Sequence, residues 1–420
     1  MKRLLIIPIF LLSVGLVKPQ KTLTLDECYH KSRENYPLIL QKGYIVKSKD
    51  YTVSNVWNGY FPQITISGQA TYQSDVIALP ISFPGITDYK LTKDQYKVIA
   101  DVSQVIYDGG IISSQSDFQN SLAEADNQKL EIELLKVKER VNQIYFGILL
   151  LDAQITQTDL VKSDINESLS KLNAALENGT VIKSNVDVLR AELLKVNQKE
   201  IELNSSRNVF IQMLGLLINQ TLDESIKLEQ PIINRLSSEA GISRPELKLF
   251  SSQQNMIESQ DGLTISKVLP KASLFFQGGY GKPGLNMLLN EFDWFYITGA
   301  RLTWSLSNIY SYSNEKEINE LNKKNIEAQK QIFLLNTNIS VKQQLYEIDK
   351  LKKLITVDQE IIDIRTSVKE SAKAQLENGV ITSSDFIREL NAEDTAKQNL
   401  AIHTIQLLLA HYNYKITIGN

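Results

Sequence analysis

Two short segments of the sequence carry the same residues in the same order, and an aspartate and an arginine follow each of them. The segments are Leu176, Glu177, Asn178 and Gly179 in the first half, and Leu376, Glu377, Asn378 and Gly379 in the second. Asp187 and Arg190 follow the first segment, and Asp385 and Arg388 follow the second. An aspartate at a helix start can accept hydrogen bonds from free backbone amides, and it can pair with an arginine three residues later. The residues alone do not decide whether each aspartate is a helix cap or the partner of the arginine.

The sequence shows no residues with the spacing of an enzyme active site or a metal site. His30, His403 and His411 are isolated, and we interpret His403 and His411 as surface or groove residues rather than ligands. Cys28 is the only cysteine, which excludes a disulfide framework and a cysteine metal cluster. The glycines after Asp108 do not have a phosphate-loop spacing, and the net charge of -3 argues against nucleic acid as a partner. The sequence therefore predicts no enzyme, no cofactor and no bound metal.

An internal repeat supplies the elements that position the two acidic segments. Pro37 and Pro62 recur, with the same spacing, as Pro245 and Pro270. Each half is predicted to contain two strands, a very long helix, a tight turn and a return helix. The predicted strands are 62–74, 95–106, 270–280 and 294–306, and the predicted turns lie near 176–184 and 376–384. The resulting organisation is a signal peptide at 1–20, a first repeat at 21–230 and a second repeat at 231–420.

The predicted strands alternate apolar and polar residues. The apolar face is predicted to include Ile66, Tyr72, Val98, Leu274 and Leu302. The polar face is predicted to include Gln69, Asp101, Gln277 and Arg301. Strands of transmembrane barrels have this two-sided pattern over ~9–11 residues. Four strands cannot close a barrel, and an open sheet edge is not tolerated in lipid, so several chains must each contribute four strands.

The two long helices carry apolar residues at coiled-coil spacing. In the second of them the pattern falls on Ile318, Leu321, Ala328, Ile332, Leu335, Ile339 and Tyr346. Some seventy helical residues make a rod of roughly 100 Å at 1.5 Å per residue. A small soluble sheet packed on a helix does not explain two such rods, so these helices favour a membrane assembly with a long helical part.

Together these features resemble the TolC-like outer membrane efflux proteins. The resemblance rests on the repeat, the strand-starting prolines, Tyr107-Asp108-Gly109-Gly110 and the two Leu-Glu-Asn-Gly turns with their aspartates. It implies an α+β membrane protein: an outer membrane β-barrel with four strands from each protomer, continued by a long periplasmic α-helical coiled-coil barrel. The implied assembly is a homotrimer in the cell outer membrane. Its implied partners are outer membrane lipid, a periplasmic adaptor (membrane fusion) protein and an inner-membrane pump, with no nucleic acid.

The resemblance also implies roles for the two acidic segments. The residues 176–179 and 376–379 would form the tips that dock the adaptor, and Asp385, Arg388, Asp187 and Arg190 would form the periplasmic gate. The family places the aspartate six residues after the turn glycine. Asp385 has this spacing, but Asp187 stands eight residues after Gly179, so we expect the first turn to be longer by two residues.

The function that the resemblance implies is a channel-tunnel that exports small molecules or drugs together with the pump and the adaptor. An exit duct for type I protein secretion is an alternative, because the same tunnel serves both kinds of cargo in this family. A trimeric coiled-coil surface scaffold or adhesin is the alternative from another class of protein.

Overall fold

The computed structural model describes residues 22–77, 92–232 and 241–419, so the predicted signal peptide lies outside the described residues. The described helices are α1 (Leu25–Asn35), α2 (Ile39–Trp57), α3 (Ile111–Glu177), α4 (Lys183–Ile218), α5 (Pro245–Val268), α6 (Ile309–Glu377) and α7 (Ser383–Ile418). The described strands are β1 (Gln63–Tyr72), β2 (Asp94–Tyr107), β3 (Lys271–Lys282) and β4 (Asp293–Thr303). Short 3-10 turns at Asn58–Tyr60 and Leu306–Asn308 precede β1 and α6.

Contacts within the chain define two compact units. The strand unit consists of Leu40–Ile132 and Arg244–Asn336. The hairpin unit consists of the described parts of Met1–Ile39, Glu133–Ser243 and Thr337–Asn420. Each unit therefore contains segments from both halves of the internal repeat.

The strand unit contains one antiparallel sheet in the order β1-β2-β3-β4. Ile66 of β1 stands opposite Ala100 of β2, and Leu274 of β3 stands opposite Ala300 of β4. The two hairpins are joined in the middle of the sheet, where Ala100 also stands opposite Gly278. The strands β1 and β4 are the two edges, and no described strand pairs with their outer sides.

Asp108 fixes the junction between β2 and α3. Its carboxylate accepts hydrogen bonds from the backbone amides of Gly110 at 2.8 Å and Ile112 at 2.7 Å, which are free donors at the helix start. Gly109 has a φ of 74°, and a Cβ there would lie 3.0 Å from the Cβ of Leu269, so only glycine fits this turn. Asp108 and Gly109 therefore have a structural role at this turn, which is to fix the backbone between β2 and α3.

The hairpin unit has apolar clusters between its helices. One cluster surrounds Tyr145, whose single hydroxyl proton has two carbonyl acceptors within reach, that of Leu23 at 2.8 Å and that of Glu229 at 2.7 Å. A second cluster lies near the turns and includes Ile165, Leu172, Val186, Leu189, Leu376, Phe386 and Leu390. Within the described residues, none of the helices combines the length and the apolar character needed to span a membrane.

The coiled-coil stripe of α6 faces away from the rest of the chain. Five of its side chains are more than half exposed: Ile318, Leu321, Ile332, Leu335 and Tyr346. The buried positions Asn319, Ile326 and Thr337 lie on the opposite side of the same helix. The predicted apolar period is present in α6, but the described chain supplies nothing that covers it.

Candidate functional site

One face of the sheet is apolar along all four strands. Directly opposed residues of an antiparallel pair share a face. The registers therefore place Ile66, Tyr72, Val98, Leu274 and Leu302 together, as expected from the alternation. The same face also holds Ile64, Tyr96, Val102, Phe276, Tyr280, Trp294 and Tyr296. Ile66 is 75% exposed and Leu302 is 74% exposed, so the residues that the structure describes leave this apolar surface uncovered.

The other face brings together the four polar residues singled out from the sequence. Gln277 donates a hydrogen bond to the carboxylate of Asp101 at 2.7 Å. The guanidinium of Arg301 lies 4.9 Å from the centre of the Phe275 ring, and Gln69 stands opposite Lys97. The sequence analysis missed that this face also carries apolar residues: Ile99, Phe275, Phe295 and Ile297. Each of these apolar residues stands two positions from a polar residue of the same strand. This spacing could have shown from the sequence that they share its face.

The two hairpin turns have the same length, so the expectation of a longer first turn is wrong. They run from Glu177 to Lys183 and from Glu377 to Ser383. The amides of Gly179 and Gly379 donate to the carbonyls of Leu176 and Leu376, each at 3.0 Å. The φ angles of the two glycines are 71° and 72°. The physical reason is that this hydrogen-bonded backbone geometry sets the turn, whereas the distance to an aspartate does not.

Asn185, and not Asp187, therefore corresponds to Asp385. The hydroxyl of Thr382 accepts a hydrogen bond from the amide of Asp385 at 3.2 Å, and the Asp385 carboxylate accepts one from the Thr382 amide at 3.3 Å. This is a capping box. Ile182 has the corresponding place in the first turn and provides no side-chain cap. A hydrogen bond from the Thr382 hydroxyl, together with one from its amide, lowers the pKa of Asp385 below the ordinary value.

Both predicted aspartate–arginine pairs are within ion-pair distance. The Nη1 atom of Arg388 lies 3.4 Å from Asp385, and that of Arg190 lies 3.8 Å from Asp187. Arg388 also lies 3.1 Å from Glu389, and its side chain is 70% exposed. Exposed ion pairs of this kind contribute little to stability. These arginines can therefore exchange one carboxylate for another at small cost in free energy.

A groove of about 450 Å³ lies between the two tips, lined by residues that include Lys171, Leu376, Glu377, Asn378 and Gly379. Lys171 bridges its walls, with its Nζ atom 2.7 Å from Glu377 and 2.8 Å from Glu167. Lys373 lies 2.8 Å from Glu167. Hydrogen bonds from Lys171 and Lys373 lower the pKa of Glu167 to about 2. The sequence analysis did not find these lysines, which lie outside the repeated tip sequence.

Leu376 is buried inside this tip region, whereas Leu176 is only partly buried. The side-chain amides of Asn178 and Asn378 donate to the carbonyls of Ala174 at 2.9 Å and Ala374 at 2.8 Å. Both asparagines thereby satisfy helix C-terminal carbonyls and remain exposed. The tips have a polar, self-capped surface around an apolar interior.

A buried charge network joins α3, α6 and α7 away from the tips. Lys369 lies 3.0 Å from Asp164 and 3.3 Å from Glu393, and its side chain is only 7% exposed. Thr366 donates a hydrogen bond to Glu393 at 2.8 Å. Burial disfavours the charged form of Lys369, but the carboxylates of Asp164 and Glu370 outweigh burial and raise its pKa. The network holds these helices in one register, and the sequence alone gave no signal of it.

All three histidines differ from what the sequence indicated, and the Nδ1 atom of His30 lies 3.1 Å from Glu34. His403 is not isolated, because its Nδ1 atom lies 2.5 Å from Asp358 on α6. His411 is not a surface residue, because it is 3% exposed, and burial lowers its pKa. His411 lies three or four residues from the buried Leu407, Leu408 and Tyr414, so it shares the buried face of α7. Within the described residues, no three histidine, cysteine, aspartate or glutamate side chains are grouped so that they could hold a metal ion.

Solved structures share the arrangement of this chain over nearly its whole length. One is the outer membrane protein VceC of Vibrio cholerae, at 14% identity and a TM-score of 0.70, covering 94% of this chain and 96% of VceC. Another is the CmeC outer membrane channel of Campylobacter jejuni, at 15% identity and 0.67, covering 94% and 85%. The open state of the MtrE outer membrane channel of Neisseria gonorrhoeae matches at 13% and 0.70, covering 94% and 89%.

The fold is that of the TolC-like outer membrane channels. The resemblance and the fold class expected from the sequence are thereby confirmed. No protein-family model matches the sequence, and a search of the curated proteins finds no relative. At sequence identities of 13–15%, these structures show that the chain shares their fold.

Proposed function

We propose that this chain is one subunit of an oligomeric outer membrane channel that exports small molecules. The observation that carries the proposal is the open, four-stranded sheet with one exposed apolar face and one face that contains Gln69, Asp101, Gln277 and Arg301. Lipid would cover the apolar face and water the other. A surface scaffold or adhesin has no need of a sheet with these two faces.

A homotrimer accounts for the surfaces that the chain leaves uncovered. The free edges β1 and β4 would pair between copies and close a barrel. The apolar stripe of α6 and exposed residues of α4, including Leu194, Ile201 and Leu216, would pack between copies. Because these two faces differ, the contacts would be head-to-tail, which is the arrangement that closes a ring.

Replacing Leu335 with aspartate tests this assembly. Leu335 is 60% exposed in the chain, so most of its surface is free of contacts within it. Burying a leucine contributes about 1.5–3 kcal/mol, and the assembled form of Leu335→Asp should lose at least that much. Light scattering in detergent should show smaller particles than for the wild type. Asn338→Asp, an exposed change on another side of α6, is the control. A trimer of unchanged stability in Leu335→Asp would contradict the proposed contact.

The gate is proposed at the second turn, where Asp385 would recur in every copy around a ring. Three carboxylates about 6 Å apart repel by roughly 3 kcal/mol per pair at an effective dielectric near 20. Such a ring favours cations, and Arg388 would bridge it in the closed state. Asp187 and Arg190 remain gate candidates, although Asn185 is the residue that corresponds to Asp385.

Planar-bilayer recordings test the gate. We expect Asp385→Ala to lower the preference for cations, because it removes the ring of charge. We expect Arg388→Ala to raise the resting conductance, because it removes the bridge between carboxylates. Lys353→Ala, which removes an exposed cation from α6 and leaves α7 unchanged, is the matched control. Conductance and selectivity equal to wild type in both variants would leave Asp385 as a helix cap only.

The two tips are proposed to dock a periplasmic adaptor, which in turn contacts an inner-membrane pump. The groove beside Leu376–Gly379, with Lys171 at its wall, supplies a partly apolar surface with charged sides. Photo-crosslinking residues at Asn178 and Asn378 should capture the adaptor in cells. Lys353 is distant from the tips in sequence. If a crosslinker at Lys353 captured the adaptor and those at both asparagines did not, the docking site would lie away from the tips. A protein cargo transported through the same channel would favour the type I secretion duct instead.

A further inference from the structure

The two β-hairpins of the sheet have identical registers. Within the repeat, Ile66 of β1 corresponds to Leu274 of β3, because each stands four residues after the repeated proline. Ile66 pairs with Ala100, and Leu274 pairs with Ala300. Ala100 therefore corresponds to Ala300, and the neighbouring residues Asp101 and Arg301 correspond in the same way. The sequence repeat is thus also a repeat of strand pairing.

The junction between β2 and β3 shows how one hairpin pairs with the next. Asp101 stands opposite Gln277 at this junction. The repeat relates Asp101 to Arg301 on the free edge β4, and it relates Gln277 to Gln69 on the free edge β1. The two free edges therefore carry the counterparts of the two strands that already pair in the middle of the sheet.

We propose that β4 of one copy pairs with β1 of the next copy in the register that joins β2 to β3. Arg301 then stands opposite Gln69 of the neighbouring copy, and Ala300 stands opposite its Ala70. The inference rests on the proposed function as an oligomeric channel and adds the residue register of the contact between copies. We call this contact between β4 of one copy and β1 of the next the seam. It has the same register as the junction between β2 and β3 within the chain.

The facing of the side chains supports this register. Arg301 and Gln69 both lie on the face that contains Asp101, and Ala300 and Ala70 both lie on the apolar face. A slip by one residue would place a polar side chain of one copy beside an apolar side chain of the other. The facing therefore disfavours slips of one residue, and the register has to be distinguished from slips of an even number of residues, of which two is the smallest.

The chemistry of the paired residues also agrees. In the middle of the sheet, Gln277 donates a hydrogen bond to the Asp101 carboxylate at 2.7 Å. At the seam, Arg301 takes the place of the acceptor, and a guanidinium only donates. Gln69 has an amide oxygen as well as an amide nitrogen, so it can accept from Arg301 where Gln277 donates to Asp101. Glutamine at both positions therefore serves partners of opposite charge.

The space on the apolar face fits as well. In the proposed register Leu302 stands opposite Gly68 of the next copy. A Cβ on Gly68 would meet nothing within 4 Å, whereas one on Gly278, on the same face inside the sheet, would lie 3.2 Å from the Phe276 ring. Leu302 is 74% exposed in the chain. The seam would place this uncovered side chain over the open glycine.

Disulfide trapping in the full-length oligomer tests the register. Directly opposed Cβ atoms lie about 4.5–5.5 Å apart, which is near disulfide range, and diagonal ones lie at about 7–8 Å. The double variant Gln69→Cys with Arg301→Cys should form covalently linked dimers and trimers on a non-reducing gel after mild oxidation. Cys28, the only native cysteine, is fully buried, so wild-type protein should form none.

The controls are slips of two residues on the same face. Ser67→Cys with Arg301→Cys, and Thr71→Cys with Arg301→Cys, should link more slowly than the Gln69 pair. Faster linking by either control would overturn the register. An absence of linking in all three pairs, in protein that still conducts in a planar bilayer, would overturn the seam but leave the channel. A protein that neither assembles nor conducts would instead refute the proposed function.

Discussion

The placement of an arginine on the apolar face of the sheet separates a lipid-facing surface from an ordinary exposed one. Ile66 lies near the middle of β1 and is 75% exposed in the chain. A substitution at a water-exposed site changes stability by no more than about 0.5 kcal/mol. An arginine near the middle of a lipid bilayer costs ~2–4 kcal/mol. Ile66→Arg should therefore destabilise the channel by ~2–4 kcal/mol per copy if lipid covers this face.

The matched control is Ser67→Arg, one residue along the strand and on the opposite face. Both proteins would be reconstituted in lipid vesicles, and the urea concentration that abolishes the heat-modifiable oligomer would be measured. We expect a clearly lower midpoint for Ile66→Arg and a midpoint near that of wild type for Ser67→Arg. Equal midpoints for the two variants would refute the assignment of this face to lipid. A lower midpoint for Ser67→Arg alone would reverse the facing of the strand.

The helical hairpins give two further expectations, both measured by urea unfolding. Thr382→Ala should cost about 1 kcal/mol through loss of the helix cap. The pKa of Asp385 is lowered in the fold, so its hydrogen bonds stabilise the fold above the ordinary aspartate pKa of 3.8, and this contribution is lost as the pH falls through the folded pKa. The difference between Thr382→Ala and wild type should therefore shrink below pH 3.8, and an unchanged difference would argue against the cap. Lys369→Ala should cost about 3 kcal/mol because it leaves Glu393 buried with one cation fewer, whereas Lys353→Ala should change little, and equal effects would contradict a buried network.

The periodic features of this fold could be predicted from the sequence. The alternation around Ile66 and Leu274 placed both on the same face, because strand side chains have a period of two. The repeated prolines and glycines located the strands and turns, because each fixes a backbone geometry. The stripe that includes Leu335 was also visible, but a period does not reveal whether the covering surface belongs to the same chain.

Features that depend on contacts between helices distant in sequence could not be predicted from the sequence. The spacing from Gly179 to Asp187 indicated a longer turn, but the hydrogen bonds of the turn show that Asn185 has the equivalent position. The sequence carries no signal that Lys369 is buried, and only the packing of three helices shows it. The inward position of His411 likewise depends on neighbours that are distant in sequence.

The difference between Asn185 and Asp385 has a consequence for how the two halves of the chain can evolve. A ring built from separate single repeats would carry the same side chain at every tip, since all tips would share one gene segment. Joining two repeats in one polypeptide lets a mutation change every second tip. In the proposed ring, a carboxylate at every tip would crowd like charges, whereas an amide at the Asn185 positions would halve the charge of these helix starts and keep the turn. Duplication followed by divergence thus allows the charge of the ring to be adjusted without any change in its backbone.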